Sequence, residues 1–267
     1  MKVTLINYTP NALETLLFTK GTRLQMSATG LDDIASWPQE KVNEHLEYMK
    51  HTIQSQFEFV DYIFMIEGVT RAFTHQLVRH RIGTSFAQQA QRVVNMAGFG
   101  YVTGPSIAEN PELQAIYDEA MGTINRYYQK LVDAGARTQD ARGVLPTNIA
   151  TNIVFKGNLR TLHDMALKRL CVKTQGEFQD VFRAMITAVT DVHPWAEAFL
   201  RAYCATHGTC QFHTFPMEDC PAKPFVLNNE AGAAYGGGKP KSLDEIHEIV
   251  MDQRAEAQPI IPKDPTR

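Results

Sequence analysis

Clusters of hydrophobic residues near the start of the chain predict two strands. Residues 2–6 and 58–67 are rich in aromatic and β-branched side chains, a composition typical of strands. Gly68 follows the second cluster and is expected to end that strand, because glycine commonly interrupts regular structure. This part of the chain is therefore expected to contribute strands to a sheet.

A helix is predicted directly after this glycine, over residues 69–80. Gln76, Arg79 and His80 stand at positions i, i+3 and i+4 of that helix, so they would share one face. The helix would thus present an amide, a guanidinium and an imidazole together.

Helical spacing dominates the rest of the chain. Asn110 and Pro111 have the residue types of a helix N-cap and first turn, and Gly135 is expected to end that helix. Three further helices are predicted: one beginning around Thr147 after Pro146, one over residues 158–170, and one over residues 176–204. The segments without a regular pattern are 93–110, expected to be a loop, 228–242, expected to be a flexible linker, and 259–267, expected to be an extended tail. This mixture, with a helical majority, indicates an α+β or α/β protein.

Composition excludes several classes of protein. The chain has 267 residues, a formal net charge of −3 and 44% hydrophobic residues, which is ordinary for a soluble globular protein and argues against a basic nucleic-acid binder. No run of eighteen apolar residues predicts a transmembrane helix, and the polar start MKVTLINYTP is unlike a signal peptide. Four cysteines in such a chain predict reduced thiols and a cytoplasmic location.

An arginine cluster lies within residues 79–92. Arg79, Arg81 and Arg92 occur within fourteen residues of an otherwise acidic protein, and arginine binds phosphate and carboxylate through two parallel hydrogen bonds. The glutamines nearby, which supply neutral donors and acceptors, are Gln76, Gln88, Gln89 and Gln91. The cluster is consistent with an anion site, and equally with a solvated helix end that forms surface ion pairs.

A second polar group lies within residues 141–179. It comprises Arg142, Asn158, Arg160, His163, Asp164 and Arg169. Arg169 precedes an apolar stretch, and a buried arginine needs an anion or several acceptors. A structural salt bridge to Asp164 or Glu177 is the alternative.

A third group combines cysteine and histidine between residues 204 and 220. Cys204, His207, Cys210 and His213 recur every three residues, and Cys220 follows. Both residue types bind zinc, but the paired spacing of common zinc sites is absent, so free thiols are favoured and no metal site is predicted. The chain also lacks the two common glycine-rich phosphate motifs.

The arginine cluster belongs to a longer motif. Arg79-His80-Arg81, preceded by THQLV and followed by a glutamine-rich stretch ending in Arg92, resembles the signature of flavin-dependent thymidylate synthases. That signature is Arg-His-Arg, seven residues, a serine and a further arginine. Other family blocks match in order: LINYTP, SQFEF, FMIEGVTRAFTHQLVRHR, DARGVLP, GNLRTLHDMALKRL and TQGEF. The resemblance extends over roughly residues 1–190.

The resemblance implies a reaction and a fold. Enzymes of this family methylate dUMP at carbon 5, with methylenetetrahydrofolate as the carbon donor, FAD as the hydride source and NADPH as the reductant of the flavin. They are homotetramers whose active sites are shared between subunits. The implied fold is that of thymidylate synthase complementing proteins, a helix-rich α+β fold with a central antiparallel or mixed sheet. Residues 1–227 would form the catalytic domain, and 228–267 the linker and tail.

The resemblance also assigns roles to single residues. Arg169 would be the catalytic residue, since a fixed positive charge favours ionisation of the pyrimidine ring. The implied FAD contacts are Ser55, Arg79, His80, Arg81, Gln88, Asn158, Arg160 and Asp164, with Glu58 beside Ser55. The implied nucleotide contacts are Gln76, Arg79, Gln89, Ala90, Arg92, Arg142 and Arg169, with Arg92 and Arg142 at the phosphate.

Several positions depart from the family pattern. The signature serine is replaced by Gln89 if the spacing is kept, or by Ala90 if one residue is inserted so that Arg92 matches the last arginine. The other departures are Phe59, Val93 and Asp164. They leave open a different nucleotide such as dCMP, or a hydroxymethyl product. A non-catalytic relative that binds nucleotide or RNA is a third alternative, against which the acidic balance and the ordered motifs both count.

Overall fold

Six strands and eleven α-helices form within residues 1–23, 29–212, 220–227, 239–252 and 260–261, which the computed structural model describes. The strands are β1 (Lys2–Tyr8), β2 (Asp61–Thr70), β3 (Thr84–Gln88), β4 (Tyr101–Val102), β5 (Ala150–Asn158) and β6 (Ile260–Ile261). The helices are α1 (Ala12–Arg23), α2 (Leu31–Ala35), α3 (Gln39–Lys50), α4 (Arg71–Leu77), α5 (Pro105–Ala108), α6 (Pro111–Asp133), α7 (Thr138–Ala141), α8 (Leu159–Arg169), α9 (Gly176–Val192), α10 (Tyr203–His207) and α11 (Leu243–Met251). Short 3₁₀ helices cover Ser55–Phe59, Arg142–Val144, Pro194–Ala198 and Lys223–Phe225.

A four-stranded antiparallel sheet lies at the centre, in the order β1-β2-β5-β3. Strands β4 and β6 pair separately, also antiparallel. The predicted fold class, a helix-rich α+β protein with a central sheet, is confirmed.

One face of the sheet packs against helices and forms the main core. Tyr62, Phe64 and Ile66 alternate along β2 and are fully buried, as the period of two along a strand requires. Helices α8 and α9 cover this core with apolar side chains that include Met165 and Phe182. Burying each such side chain stabilises the fold by about 1.5–3 kcal/mol. This packed core supports the ends of β2, β5, α4 and α8.

Strand β2 begins later than predicted and does not end at Gly68. Residues Ser55–Phe59 form a 3₁₀ helix, and the strand starts at Asp61. Gly68 has a φ of +66° and sits in a bulge, where the pairing with β5 shifts between Ile66 and Val69. Glycine tolerates this left-handed conformation, so the strand continues through it to Thr70.

Helix α4 is shorter than predicted, so the expected shared helix face is wrong. The helix ends at Leu77, and Arg79 and His80 lie in the turns that follow it. The chain then passes through Gly83, which has a φ of +68°, into β3. The segment from Thr84 to Gln88 is therefore a short edge strand, which the sequence analysis did not predict.

The helix expected near Thr147 is also wrong, because this segment forms β5. Its side chains alternate in burial, with Ile153 and Phe155 fully buried between two neighbouring strands. Thr151, Ile153 and Val154 of this segment are β-branched, and β-branched residues favour strands. Pro146 precedes a strand rather than a helix.

The remaining predicted helices are largely confirmed. Asn110 caps α6 by accepting from the backbone N–H groups of Glu112 and Leu113, and Gly135 follows its end with a φ of +91°. Helix α8 occupies most of residues 158–170. The helix predicted over 176–204 breaks near His193, where Pro194 starts a 3₁₀ helix. The loop expected over 93–110 contains β4 and α5.

Residues near the end of the chain add a helix that the sequence analysis did not predict. Ser242 and Glu245 form a reciprocal capping box at the start of α11. Ile246 and Val250 of this helix are buried in the main core. The larger part of the expected linker, residues 228–238, lies outside the described residues, and the domain division at residue 227 stays a prediction. Within the described chain, no helix is long and apolar enough to cross a membrane.

Candidate active site

Arg169, His80 and Phe178 meet where three segments converge. Arg169 is the last residue of α8, His80 follows α4, and Phe178 lies in the first turn of α9. The Nε and Nη2 atoms of Arg169 lie 3.2 and 3.1 Å from Nε2 of His80. The guanidinium carbon lies 4.6 Å from the centre of the Phe178 ring, within the range of a cation–π contact.

At neutral pH Arg169 is positively charged and His80 is neutral. Burial, reinforced by the charges of Arg169 and Lys168, lowers the pKa of His80 to about 4. Neutral His80 accepts from Arg169 at Nε2, so its proton resides on Nδ1. Burial also lowers the pKa of Arg169, but an arginine starts so high that it stays protonated at neutral pH. The pair therefore holds a full positive charge in a half-buried position.

The alternative salt bridge from Arg169 to Asp164 or Glu177 is absent from the described residues. Glu177 is buried and accepts from Thr70 instead, at 2.7 Å from the backbone nitrogen and 2.5 Å from Oγ1. Thr70 in turn caps α4, its Oγ1 accepting from the N–H of Phe73 at 2.9 Å. Glu177 thus fixes where α4 begins, and burial raises the pKa of this carboxyl.

An open cleft of about 600 Å³ lies along α4. Arg71, Gln76 and Gln88 line it together with two threonines, Thr74 and Thr147. Gln88 donates from Nε2 to Oγ1 of Thr74 at 2.9 Å. Gln76 donates to the side-chain carbonyl of Gln175. The fold therefore brings Gln76 and Gln88 into one cleft, although the resemblance assigned them to different ligands.

Arg71, which lines this cleft, interacts electrostatically with Arg142. Burial lowers the pKa of Arg71, and the positive charge of Arg142 lowers it further. Neither arginine forms an ion pair with any side chain in the described ranges. Within the described residues, the charges of Arg71 and Arg142 thus repel each other, and no carboxylate forms an ion pair with either.

Asn158 lies at the start of α8 and performs a structural task there. Its Oδ1 accepts from the backbone N–H of Thr161 at 2.9 Å and from the Thr161 hydroxyl at 3.0 Å, capping the helix. Gly83 packs against both residues, and the Thr161 hydroxyl also donates to the carbonyl of Ile82 at 2.6 Å. The chain just after Arg81 is therefore fastened to the N-terminus of α8.

Arg160 and Asp164 lie on the first turns of α8, close to the 3₁₀ helix that Ser55 begins. The Arg160 guanidinium is 3.9 Å from Oε1 of Glu58 and 3.9 Å from Oδ2 of Asp164. Exposed ion pairs at this distance are weak. Most of the capacity of Arg160 to donate hydrogen bonds thus remains for a ligand.

The remaining residues of the signature are exposed. Arg79, Arg81 and Arg92 form no ion pairs within the ranges that the structure describes. The backbone carbonyl of Arg92 accepts from Thr138 at 2.7 Å, which ties this segment to the turn before Arg142. Gln89 and Ala90 are also exposed. The structure does not bring these five side chains into contact with Arg169.

Sequence comparison identifies the family. A model of thymidylate synthase complementing proteins matches residues 4–195. The chain belongs to the thymidylate synthase complementing protein family.

Proteins similar to this member of the family come from bacteria and archaea. A flavin-dependent thymidylate synthase of Clostridium tetani is 34% identical over 212 residues, which cover 73% of this chain and 84% of the relative. Enzymes with the same name from Sulfolobus acidocaldarius and Pyrococcus furiosus are 30% and 31% identical and cover 83% and 79% of this chain. The match extends over 83% and 89% of those two relatives.

Three of the four cysteines follow the segment that matches the family model. Cys204, Cys210 and Cys220 lie around one small apolar cavity together with Cys171. All four are free thiols, and burial raises the pKa of Cys204 to about 12. Among the described residues, no three cysteine, histidine, aspartate or glutamate side chains are arranged to hold a metal ion. His213 lies outside the described residues, so the prediction of no metal site stays a prediction for this segment.

Three residues of the candidate site, Arg71, Gln175 and Phe178, were not predicted from the sequence. Arg71 lies only eight residues before Arg79 in the same matched block, but nothing in its local pattern distinguished it. Gln175 contacts Gln76 across 99 residues of sequence, whereas Phe178 contacts Arg169 from the first turn of the next helix. The available signal was the TQGEF block, which contains both Gln175 and Phe178. The block matched the family, but the resemblance assigned no role to either residue.

Proposed function

We propose that this chain is a flavin-dependent thymidylate synthase. It transfers a one-carbon unit from methylenetetrahydrofolate to carbon 5 of dUMP and yields dTMP, with FAD as the flavin and NADPH as the reductant. Membership of the family and the relatives' names support this reaction. The comparisons do not favour dCMP methylation, a hydroxymethyl product or a non-catalytic relative.

The observation that carries the proposal is the contact of Arg169 with His80. Arg169 is held by a neutral acceptor and an aromatic ring, so no carboxylate in the described part of the chain cancels its charge. We infer that this charge faces the pyrimidine edge of dUMP and stabilises the negative charge that develops on the ring. His80 acts as a positioning residue, because it fixes the direction in which the guanidinium points.

The donor groups of the chain fit a flavin dinucleotide. Arg79 and Arg81 are exposed cations without ion pairs in the described ranges, and Arg160 is only loosely paired. Such groups suit the two phosphates of FAD. Ser55, Asn158 and Asp164 would add hydrogen bonds, with His80 and Gln88 at the border with the nucleotide. When bound, FAD supplies the hydride that reduces the transferred carbon.

The nucleotide is proposed to lie along α4. Gln76 would bind the base, because its amide offers both a donor and an acceptor. Arg142 would bind the phosphate from the 3₁₀ helix Arg142–Val144. Arg79, Gln89, Ala90 and Arg92 would complete the site from the exposed segment after α4.

We also propose a homotetramer and a cytoplasmic location. The exposed signature segment carries large apolar side chains, since Ile82 is 83% and Val93 is 70% exposed. Apolar residues at such positions are consistent with contact to another subunit that completes the site. Four free thiols suit a reducing compartment. Light scattering on the purified protein tests the tetramer, and a monomer that turns over dUMP contradicts shared active sites.

The decisive experiment combines a spectrum with a product assay. The visible absorption of the purified protein is recorded with FAD, then after addition of dUMP or dCMP. The same protein is incubated with methylenetetrahydrofolate, NADPH and each nucleotide, and the products are identified by mass spectrometry. We expect a flavin spectrum perturbed by dUMP and formation of dTMP. No flavin binding, or no dTMP, overturns the proposal.

A further inference from the structure

We infer that Arg71 is a further ligand of the substrate phosphate and acts together with Arg142. This rests on the proposed function, because it names an additional residue of the nucleotide site. The family resemblance assigned no role to Arg71, although this residue lies in one of the matched blocks.

The position of Arg71 is fixed by backbone contacts on both sides. Its N–H donates to the carbonyl of Ile149 at 3.2 Å, and its carbonyl accepts from the Thr74 hydroxyl at 3.0 Å. The first contact joins α4 to the residue before β5, and the second stabilises the first turn of α4. The backbone of Arg71 is therefore held in a fixed position in the wall of the cleft.

The side chain of Arg71 is half-buried and lacks a partner of opposite charge. It lines the cleft with Gln76, Gln88 and Thr147, all of which are polar. Within the described ranges, its guanidinium forms no ion pair and donates no hydrogen bond. A partly buried guanidinium with free donors is costly unless an acceptor is supplied. Solvent or a ligand in the cleft must therefore satisfy it.

The neighbouring charge of Arg142 strengthens this argument. Burial lowers the pKa of Arg71, and repulsion by the positive charge of Arg142 lowers it further. An anion between the two groups would turn that repulsion into attraction. A phosphate monoester suits this arrangement, because it carries close to two negative charges at pH 7 and three acceptor oxygens. Two guanidinium groups can each bind it through paired hydrogen bonds.

The size of the cleft agrees with a nucleotide rather than a bare ion. Its volume of about 600 Å³ lies within the usual range of small-molecule sites, about 300–1,000 Å³. Gln76 lies beside Arg71 in the same cleft, at the position proposed to bind the base. One ligand could therefore place its phosphate at Arg71 and its base at Gln76.

The test measures binding to the FAD-loaded protein by calorimetry. Arg71→Gln is compared with wild type and with Arg126→Gln, a control that removes one charge from the exposed face of α6. The ligands are dUMP and 2′-deoxyuridine, which differ only in the phosphate. We expect Arg71→Gln to weaken dUMP binding about tenfold or more and to leave deoxyuridine binding unchanged. Arg126→Gln should bind both ligands like wild type.

Other outcomes overturn the inference in distinguishable ways. Equal dUMP affinity in Arg71→Gln and wild type contradicts a phosphate contact. Equal weakening of dUMP and deoxyuridine indicates a structural role. Loss of FAD affinity, or a raised KM for NADPH with unchanged dUMP affinity, assigns the arginine to a cofactor phosphate instead.

A second measurement separates this inference from the proposed function. Inorganic phosphate is added to the protein without nucleotide, and the melting temperature is recorded. We expect phosphate to raise the melting temperature of wild type more than that of Arg71→Gln, because only wild type retains both cations. This result supports an anion site even if dUMP is not the substrate. An equal rise in both proteins overturns the site, whatever the enzyme assay shows.

Discussion

The guanidinium of Arg169 contacts a single acceptor atom, Nε2 of His80, from both Nε and Nη2 at 3.2 and 3.1 Å. Histidine is an unusual partner for an arginine, since a carboxylate would bind it more strongly. A carboxylate would also cancel the charge. A neutral imidazole orients the guanidinium and leaves its positive charge available to a ligand.

Replacement of Arg169 should therefore remove catalysis without removing the fold. Arg169→Ala is expected to lower kcat by roughly 100-fold or more, the loss typical of a group that stabilises charge in a transition state. Arg169→Lys keeps the charge but loses the forked geometry, and should retain intermediate activity. Steady-state kinetics, with circular dichroism as the check on folding, measures this. Wild-type turnover in Arg169→Ala would contradict the role assigned to this residue.

The low pKa of His80 predicts loss of stability in acid. The folded pKa of about 4 lies below the ordinary value of 6.5, so folding favours the neutral form. Its contribution is fully present above about pH 6.5 and is lost as the pH falls towards 4, by at most about 1.4 kcal/mol per pH unit. Urea unfolding between pH 7.5 and 4.5 measures the free energy of unfolding. His80→Gln retains an acceptor for Arg169 but does not titrate, so its stability should fall less steeply; identical slopes would contradict the assignment.

Gly83 should not tolerate a side chain. Its φ is +68°, and a Cβ would clash with Nδ2 of Asn158 and lie 2.7 Å from Oγ1 of Thr161. Gly83→Ala is expected to cost about 1–3 kcal/mol of stability and to weaken FAD binding, because it displaces the cap of α8. Gly122→Ala is the matched control, since nothing lies within 4 Å of its position in α6. That control should be stabilised by about 0.5–1 kcal/mol. Similar melting temperatures for the two variants would refute the prediction.

The missing signature serine can be restored at either of two positions. Gln89 and Ala90 are both exposed, so neither replacement should change stability. If one residue is inserted relative to the family, Ala90→Ser should raise dUMP affinity by about 0.5–1.5 kcal/mol, the contribution of one hydroxyl hydrogen bond. Gln89→Ser should then have no such effect. Calorimetric titration of both variants decides between the two alignments, and a gain in Gln89→Ser alone would reverse the assignment.

Two strands, β3 and β5, could not be predicted from the local sequence pattern. Ile149, just before β5, and Ile153 within it have a spacing of four, which also suits a helix, and only the two neighbouring strands decide the outcome. β3 is a five-residue edge strand with one large apolar side chain, Phe86, so its alternation is weak. In contrast, Asn110 with Pro111 marked the start of α6 correctly, because capping depends on adjacent residues.

The candidate site shows the same division between local and long-range information. Arg169 and His80 were singled out by motif, but their contact joins residues 89 positions apart and required the fold. Arg71 was overlooked because its significance depends on Arg142, which lies in a different segment. The capping box of Ser242 and Glu245 was readable from sequence and was missed within an expected linker.

The bulge in β2 restricts where the chain can tolerate insertions and deletions. Between Ile66 and Val69 this strand advances three residues, whereas β5 advances two, from Ile153 to Thr151. The extra residue places Val69 on the same face as Ile66 and Thr70 on the opposite face, where Thr70 reaches Glu177. Deletion of Gly68 would reverse the facing of both residues and detach the start of α4. Insertions and deletions among relatives should therefore occur in the exposed loops and spare this strand.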